Sequence, residues 1–393
     1  MSSVSMFRRP PVGSILPSGP GGGADGRTAD RPRRQRQLSG SMVLELAGSA
    51  AAALALVWIV FTVEGITAPF GMAVSWFVVF FAVYGVLCRR LHGIRIAKDR
   101  MATVGVWTGA LIGMTALAAV ILYVIGQGFA AVFSDFPHFL FADMSQLGAG
   151  AKITDVGVGA AIVGTVEQMI IATVITVPLG ILTATYLVDS DSLFSRTVSA
   201  VVDAMTGAPA IIAGLFVYLL WVKPHHTAGK TGFAAALALS VMMLPIVTRA
   251  AQEVVAIVPG SLREAALALG APEWRVLVRV VLPTARAGLM TAVILGIARI
   301  AGETAPVLFN AGGFAKYNWN PFSGQQDNLP LRIYENINQP GAVITQSAWG
   351  ASLVLVFVVL VLFLFARVLG KASPGSRIFT PFRIRRSSPE VYG

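Results

Sequence analysis

The chain has 393 residues, of which 55% are hydrophobic and only 12% charged, with a mean hydropathy of +0.72. Soluble domains carry about 25% charged residues, so this composition excludes an ordinary soluble protein and indicates a polytopic membrane protein. The net charge of +11 does not call for nucleic acid, because membrane proteins concentrate Lys and Arg in their cytoplasmic loops.

Residues 1–40 are rich in Gly, Pro, Ser and Arg and have no hydrophobic period. Such a segment cannot bury enough apolar surface to offset its ordering entropy, so a disordered basic tail is expected. It is too long and polar for a signal peptide, and the spans themselves are expected to direct insertion. Eight spans follow, at about 42–63, 67–88, 102–126, 161–187, 199–221, 233–252, 286–308 and 347–369. Each meets the roughly 20 apolar residues that a helix needs to cross hydrocarbon. The predicted fold class is therefore an all-α polytopic membrane protein of about eight transmembrane helices.

Cys88, in the second span, is the only cysteine. No intrachain disulfide can form, and it reads as a small buried hydrophobe. Lys and Arg gather in the N-terminal tail, in the connection after the second span (Arg89, Arg90, Arg95, Lys98, Arg100) and in the tail 371–393. With eight spans all three fall on one side, which places both termini in the cytoplasm. Lys223 and Lys230 dissent from this pattern. The connection at 127–157 falls outside, and the polar connection at 253–285 falls inside, where a soluble partner could dock.

Glu167 sits near the outer end of the fourth span, where a solvated mouth accounts for it and a place on a transport path is the alternative. The fifth span is the least regular, with Asp203 in its first turns. Pro178, Pro209 and Pro245 lie inside apolar runs and are expected to interrupt their helices. The stretch HHTAGKTG, 225–232, ends like a phosphate-binding loop, but Pro224 stands where the motif needs Gly. His225 and His226 lack a further His or Cys partner nearby, so a solvated turn fits better than a metal site. There is no nucleophile–base pair, and so no catalytic residue is assigned.

The connection SLREAALALGAPEWRVLVRVVLP, 261–283, reads as helix, tight turn, helix. Ser261 and Glu264 have the spacing of a capping box. Leu262, Ala265, Ala266 and Leu269 recur at helical spacing, and Gly270 is placed for a left-handed C-terminus. Pro272 and Glu273 suit the first turn of a second helix, whose apolar stripe would be Trp274, Leu277 and Val281. Arg275 and Arg279 would lie one turn apart on another face. A hairpin lying on the membrane and a docking element both fit these residues.

In the seventh span, Arg299 and Glu303 are four residues apart, about 40° apart on an ideal helix, and can pair. If the span enters near Arg286, Arg299 lies about 20 Å deep. A charge at that depth should face protein or water rather than lipid. A structural ion pair is one reading. The other is an anion path, in which Arg offers a planar fork to oxyanions and Glu303 holds it in place. Small residues around the pair (Gly296, Ala298, Ala301, Gly302, Ala305) would admit a close neighbour.

Two motifs carry a family resemblance. Glu264-Ala265-Ala266, Gly270 four positions on, and Val280, Leu282 and Pro283 after nine more residues resemble the EAA loop of ABC-importer permeases, with Val280 where Ile is usual. ARIAGETAPVLF resembles the ARxxGETAP segment of phosphate-specific permeases of the PstA type, and Ala305 and Pro306 favour that type over the sister permease. VGTVEQMIIATVITVPLGILTATYL, MTGAPAIIAGLFVY and LPLRIYENINQP agree with it, so that the likeness covers about 89–370.

The resemblance implies a six-helix ABC permease domain at 89–370, with the coupling loop at 253–285. The hairpin at 41–88 is then an N-terminal extension. Arg299 and Glu303 become translocation-path residues. Glu264, Ala265, Ala266, Gly270, Leu282 and Pro283 become the contact with an ATPase. The implied partners are a sister permease (PstC type), an ATPase dimer (PstB type) that carries the ATP and Mg, and an extracytoplasmic phosphate-binding protein (PstS type), all at a bacterial inner membrane. No cofactor or metal is expected on this chain itself. A permease for molybdate or sulfate, a secondary transporter, and a phosphate sensor signalling through its basic N-terminal tail are the alternatives.

Overall fold

The computed structural model describes residues 40–65, 68–145 and 152–371. The predicted basic tails lie outside these residues, save Gly40 and Lys371. In chain order the helices are α1 (Gly40–Val63), α2 (Pro69–His92), α3 (Ile94–Phe133), α4 (His138–Phe141), α5 (Gly159–Asp189), α6 (Leu193–Thr206) and α7 (Ala210–Val217). They continue with α8 (Gly232–Ala256), α9 (Gly260–Ala268), α10 (Glu273–Val276), α11 (Leu282–Ile300), α12 (Ala305–Leu308), α13 (Leu329–Ile337) and α14 (Ala342–Lys371). Among the described residues, seven helical runs are long and apolar enough to cross a membrane, and an eighth crossing is possible if a bent pair counts as one.

That bent pair corrects the predicted fifth span. The expected helix at 199–221 is instead α6 and the run from Ala210 to Gly229, set at 110° to each other. Pro209 has no N–H and disfavours the helical conformation for Ala208, so the chain turns at 207–209. Pro178 and Pro245, also expected to interrupt their spans, sit inside continuous helices α5 and α8.

The predicted seventh span is corrected at both ends. The helical run extends from Glu273 to Ile300 rather than over 286–308. Pro283 does not break it, because the turn Leu277–Val281 is widened and the Leu282 N–H bonds to the Leu277 carbonyl, five residues back. A π turn of this kind gives the proline ring the room that an α turn would deny it. The same device precedes Pro224, where the Lys223 N–H bonds to the Tyr218 carbonyl.

The chain divides into two compact units, residues up to Gly113 and residues from Met114, with the division inside α3. In the first unit α1 and α2 form a hairpin around Ala53, Phe80, Tyr84, Cys88 and Ala97, all buried. Cys88 is thus the buried hydrophobe that its surroundings implied. Arg100 Nη1 lies 2.5 Å from Glu45 Oε2, and His92 Nε2 lies 3.6 Å from Glu45 Oε1.

In the second unit α8 is the central helix, with Ala234, Ala235, Ala236, Ala238 and Ala251 all buried. Small residues let membrane helices approach closely, where packing rather than water exclusion drives association. α5 runs alongside α8 in the same direction. The Thr176 hydroxyl faces the Ser240 carbonyl at 3.4 Å, Gly180 abuts Val247, and Ala184 joins Ala251 and Val255 in one cluster. α11 runs the opposite way, so Gly288 meets Val254 and Gly296 meets Val247 and Met243.

Candidate functional site

Arg299 occupies the last turn of α11, and the chain unwinds at Ala301 to Thr304 before α12 begins. Glu303 therefore lies in unwound chain, not on the helix that an ideal-geometry reading assumed. The two side chains still pair, with Arg299 52% and Glu303 12% exposed. The pair's level follows from α8. Gly296, one turn before Arg299, sits against Met243 and Val247, near the middle of a 25-residue helix. The guanidinium at a helix C-terminus is also favoured by the helix dipole.

This break does not stand alone. α7 begins just after the break at 207–209 and packs on α12. A Cβ added at Gly214 would meet Pro306 Cα at 2.6 Å, so glycine is required for the approach. Asn310, fully buried, donates its amide to the Gly214 carbonyl at 3.0 Å and to the Pro306 carbonyl at 2.7 Å. Two interrupted helices are thus joined at one level. A Cβ at Gly302, beside Glu303, would meet nothing within 4 Å, so the unwound chain borders open space. Of the small residues around the pair, Gly296 does admit a neighbour, which is α8. Asp203, the charge noticed in the fifth span, accepts from Arg249 Nη2 at 2.5 Å, and the same nitrogen donates to the Ser199 carbonyl at 2.9 Å.

The loop between α8 and α11 is helix, tight turn, helix, as its residues indicate. Gly270 has φ +78°, its N–H bonds to the Leu267 carbonyl at 2.9 Å, and the Ala271 N–H bonds to the Ala266 carbonyl at 3.2 Å. Those two bonds form the left-handed C-terminal motif that calls for glycine. The predicted capping box is absent. α9 starts at Gly260 behind Pro259, with no side-chain cap, and this puts Ser261 inside the helix. The Glu264 side chain is exposed and makes no hydrogen bond or ion pair among the described residues. Of the predicted stripe of α9, Leu262, Ala265 and Leu269 are exposed and only Ala266 turns inward; Leu267 is exposed as well. On the second helix the π turn shifts the inward stripe to Val276, Leu277, Val280, Val281 and Ala285. Trp274, expected in that stripe, is exposed beneath the Arg275 guanidinium at 5.3 Å.

The sequence pattern of the family described as binding-protein-dependent transport system inner membrane component matches residues 176–373. The chain belongs to that family. It is 38% identical over 282 residues to the phosphate transport system permease protein PstA of Mycobacterium leprae, covering 70% of this chain and 90% of that one. The PstA protein of Xylella fastidiosa (strain 9a5c) is 41% identical over 216 residues, 54% of this chain and 74% of that one. A chain of the inward-facing MetNI methionine ABC transporter superposes with a TM-score of 0.40 at 22% identity, covering 55% of this chain and 94% of that chain. As the membrane component of such a system, the chain is a permease and not its catalytic part.

In this permease the segment after α12 folds back over the first turns of α5. Gln326 donates to Glu167 Oε2 at 2.6 Å, and Gln168 donates to Gln326 Oε1 at 3.1 Å. Asn328 donates to Gln168 Oε1 at 3.1 Å, and the Leu329 N–H donates to the Thr165 hydroxyl at 2.8 Å. Arg332 Nε donates to Asp327 Oδ2 at 2.7 Å, with both side chains buried. Burial pushes the Asp327 carboxyl up to about 6, against the opposing pull of Arg332. Glu167 is thus tied into a polar network rather than only solvated. Sequence reasoning missed this network and also Asn310, although LPLRIYENINQP had drawn notice.

HHTAGKTG forms a tight turn in which His225 Nδ1 lies 2.7 Å from the Trp221 carbonyl, and its Thr231 caps α8 by accepting from the Ala234 N–H. Among the described residues no group of three His, Cys, Asp or Glu could hold a metal.

Proposed function

We propose that this chain is the permease subunit of an ATP-driven phosphate importer and forms half of its translocation path. The observation that carries the reading is the Arg299–Glu303 pair, set where two interrupted helices meet. A charge within a span costs roughly 2.5–3.5 kcal/mol on insertion scales, so an exposed guanidinium there needs water, protein or a passing anion. Its planar fork suits phosphate oxygens. Glu303 keeps the site from holding the anion too tightly to release it. Discontinuous helices meeting partway across a membrane are where transporters place their substrate sites. The function named for the curated relatives supports phosphate as the anion.

A sister permease supplies the other half of the path, and an extracytoplasmic phosphate-binding protein delivers the anion. ATP and Mg belong to an ATPase dimer. The outward-facing Leu262, Leu269 and Trp274 are the surface offered to it, with Glu264, Ala265, Ala266, Gly270, Leu282 and Pro283 shaping the loop. Closure of the ATPases on ATP moves this loop and switches access to the pair. The permease domain spans 89–370, preceded by the hairpin 41–88 and a basic tail. Both termini lie in the cytoplasm, as the Lys and Arg distribution requires.

The test is ATP-dependent uptake of labelled phosphate in cells lacking this chain, complemented with wild type, Arg299→Ala or Glu303→Ala. Restoration by wild type and failure of either variant at normal membrane abundance supports the reading. Normal uptake by both variants makes the pair structural. Uptake blocked by excess molybdate or sulfate moves the assignment to another anion.

A further inference from the structure

Helix α9 is held to the rest of the unit by very little. Of Gly260–Ala268 only Arg263 and Ala266 are half-buried, and every other residue is exposed. The two are three residues apart and share one face. Ala266 rests on the cluster that contains Val255, Val276 and Val281. A single methyl offers little area, and an apolar contact is non-directional, so it can slide.

Arg263 makes the directional attachment. Its guanidinium pairs with Asp189, the last residue of α5, and its Nη2 donates to the Val255 carbonyl at 3.4 Å, one residue before the end of α8. One side chain therefore grips the C-terminal ends of two helices that run side by side. Both ends carry the negative pole of a helix dipole, which favours the cation there. α8 in turn carries Met243 and Val247, against which Gly296 of α11 is seated, one turn from Arg299.

We infer that Arg263 is the positioning residue through which motion of the α9 loop is passed to α5 and α8, and by α8 to the interrupted helices. The inference rests on the coupling reading above. The exposed leucines of α9 and its turn, Leu262 and Leu269, meet the partner, and Arg263 with Ala266 meets the bundle. A charge-assisted bond between fixed partners resists separation and shear, where the Ala266 contact alone would let the loop move without the spans.

The test uses the whole transporter, with its ATPase and binding protein, in proteoliposomes. Phosphate uptake and ATP hydrolysis are measured together for wild type, Arg263→Ala, Arg263→Lys, Asp189→Asn and the swapped pair Arg263→Asp with Asp189→Arg. The expected result is a fall of roughly fivefold or more in phosphate moved per ATP for Arg263→Ala and Asp189→Asn. ATPase subunits should still co-purify at the wild-type level, and the lysine variant and the swap should recover most of the ratio. An unchanged ratio in Arg263→Ala overturns the inference and leaves the proposed function intact. Loss of co-purification in every variant, the lysine and the swap included, also overturns it, because Arg263 then only keeps the loop folded. A wild type that moves no phosphate with ATP overturns the underlying reading and the inference together.

Discussion

Asn310 donates its side-chain amide to the backbone carbonyl of Gly214, 3.0 Å away and 96 residues earlier in the chain. The same nitrogen reaches the Pro306 carbonyl at 2.7 Å. Interrupted helices leave carbonyls without their usual partners, and inside a membrane such groups must be satisfied by protein. Asn310 does this for Pro306, while the Gly214 carbonyl also accepts from the Tyr218 N–H, so there the same amide serves as a tie between α12 and α7. Asn310→Ala should therefore lower stability by about 1–3 kcal/mol, the usual penalty for leaving a buried polar group unpaired. Asn310→Asp should be worse, because a carboxylate would face two carbonyls with no donor. Thermal unfolding of the purified permease in one detergent checks the order, and an aspartate variant as stable as wild type would contradict it.

The start of α9 gives a second, paired expectation. Ser261 lies inside the helix and caps nothing, whereas Ser192 caps α6 by accepting from the Ser195 N–H at 3.1 Å. Ser261→Ala should change stability by less than about 0.5 kcal/mol. Ser192→Ala should cost about 1 kcal/mol. Equal losses would mean that the capping box forms after all.

How far the fold was legible depended on whether the information was local. The approximate places of most spans were, because hydropathy over 20 residues is a local property, and so was Gly270, because only a left-handed turn fits its neighbours. The breaks were not. Pro178, Pro209 and Pro245 look alike in an apolar run, yet only Pro209 ends a helix. What sets it apart is Gly207 close before it and, across the fold, the Pro306 segment on which Gly214 of α7 is seated. The π turn before Pro283 was equally hidden, and it turned Trp274 from the predicted inward stripe to the surface. Of the candidate site, the pairing of Arg299 with Glu303 could be read from spacing. Its setting in unwound chain could not, because that depends on α7, about 90 residues away. Arg263 and Asp189 are 74 residues apart, and neither stands out in its own stretch.

Asp327 supplies a pH dependence. Its carboxyl is pushed up to about 6 by burial, from an ordinary value of 3.8. Between those values the folded chain holds a proton that the unfolded chain has released, so this group's contribution to stability falls as pH rises from about 4 to about 6. The loss over that window is up to about 3 kcal/mol at 1.36 kcal/mol per unit. Asp327→Asn has no such proton to lose. The stability of wild type relative to this variant should therefore decline as pH rises through that range and level off above it. Melting temperatures of both proteins at pH 4.5, 5.5, 6.5 and 7.5 measure the difference directly. A gap that widens in favour of wild type with rising pH would place the carboxyl's titration on the other side of its ordinary value.

Two glycines beside the paired breaks should respond in opposite ways. At Gly214 a methyl would sit 2.6 Å from Pro306 Cα and 3.0 Å from the Pro306 carbonyl oxygen, which are backbone atoms that cannot rotate aside. Gly214→Ala must therefore push α7 away from α12, at about 1–3 kcal/mol for overpacking. It should also lower phosphate uptake, since the same displacement stretches the Asn310–Gly214 hydrogen bond that ties α7 to α12. At Gly302 a methyl would meet nothing within 4 Å, and Gly302 is not among the residues with positive φ. Gly302→Ala should be neutral or gain up to about 1 kcal/mol through the unfolded chain. Uptake and melting temperature measured on both variants separate the effects. Loss of uptake in Gly302→Ala without loss of stability would mean that the unwound segment must flex during transport, a demand that its open surroundings permit but packing alone does not impose.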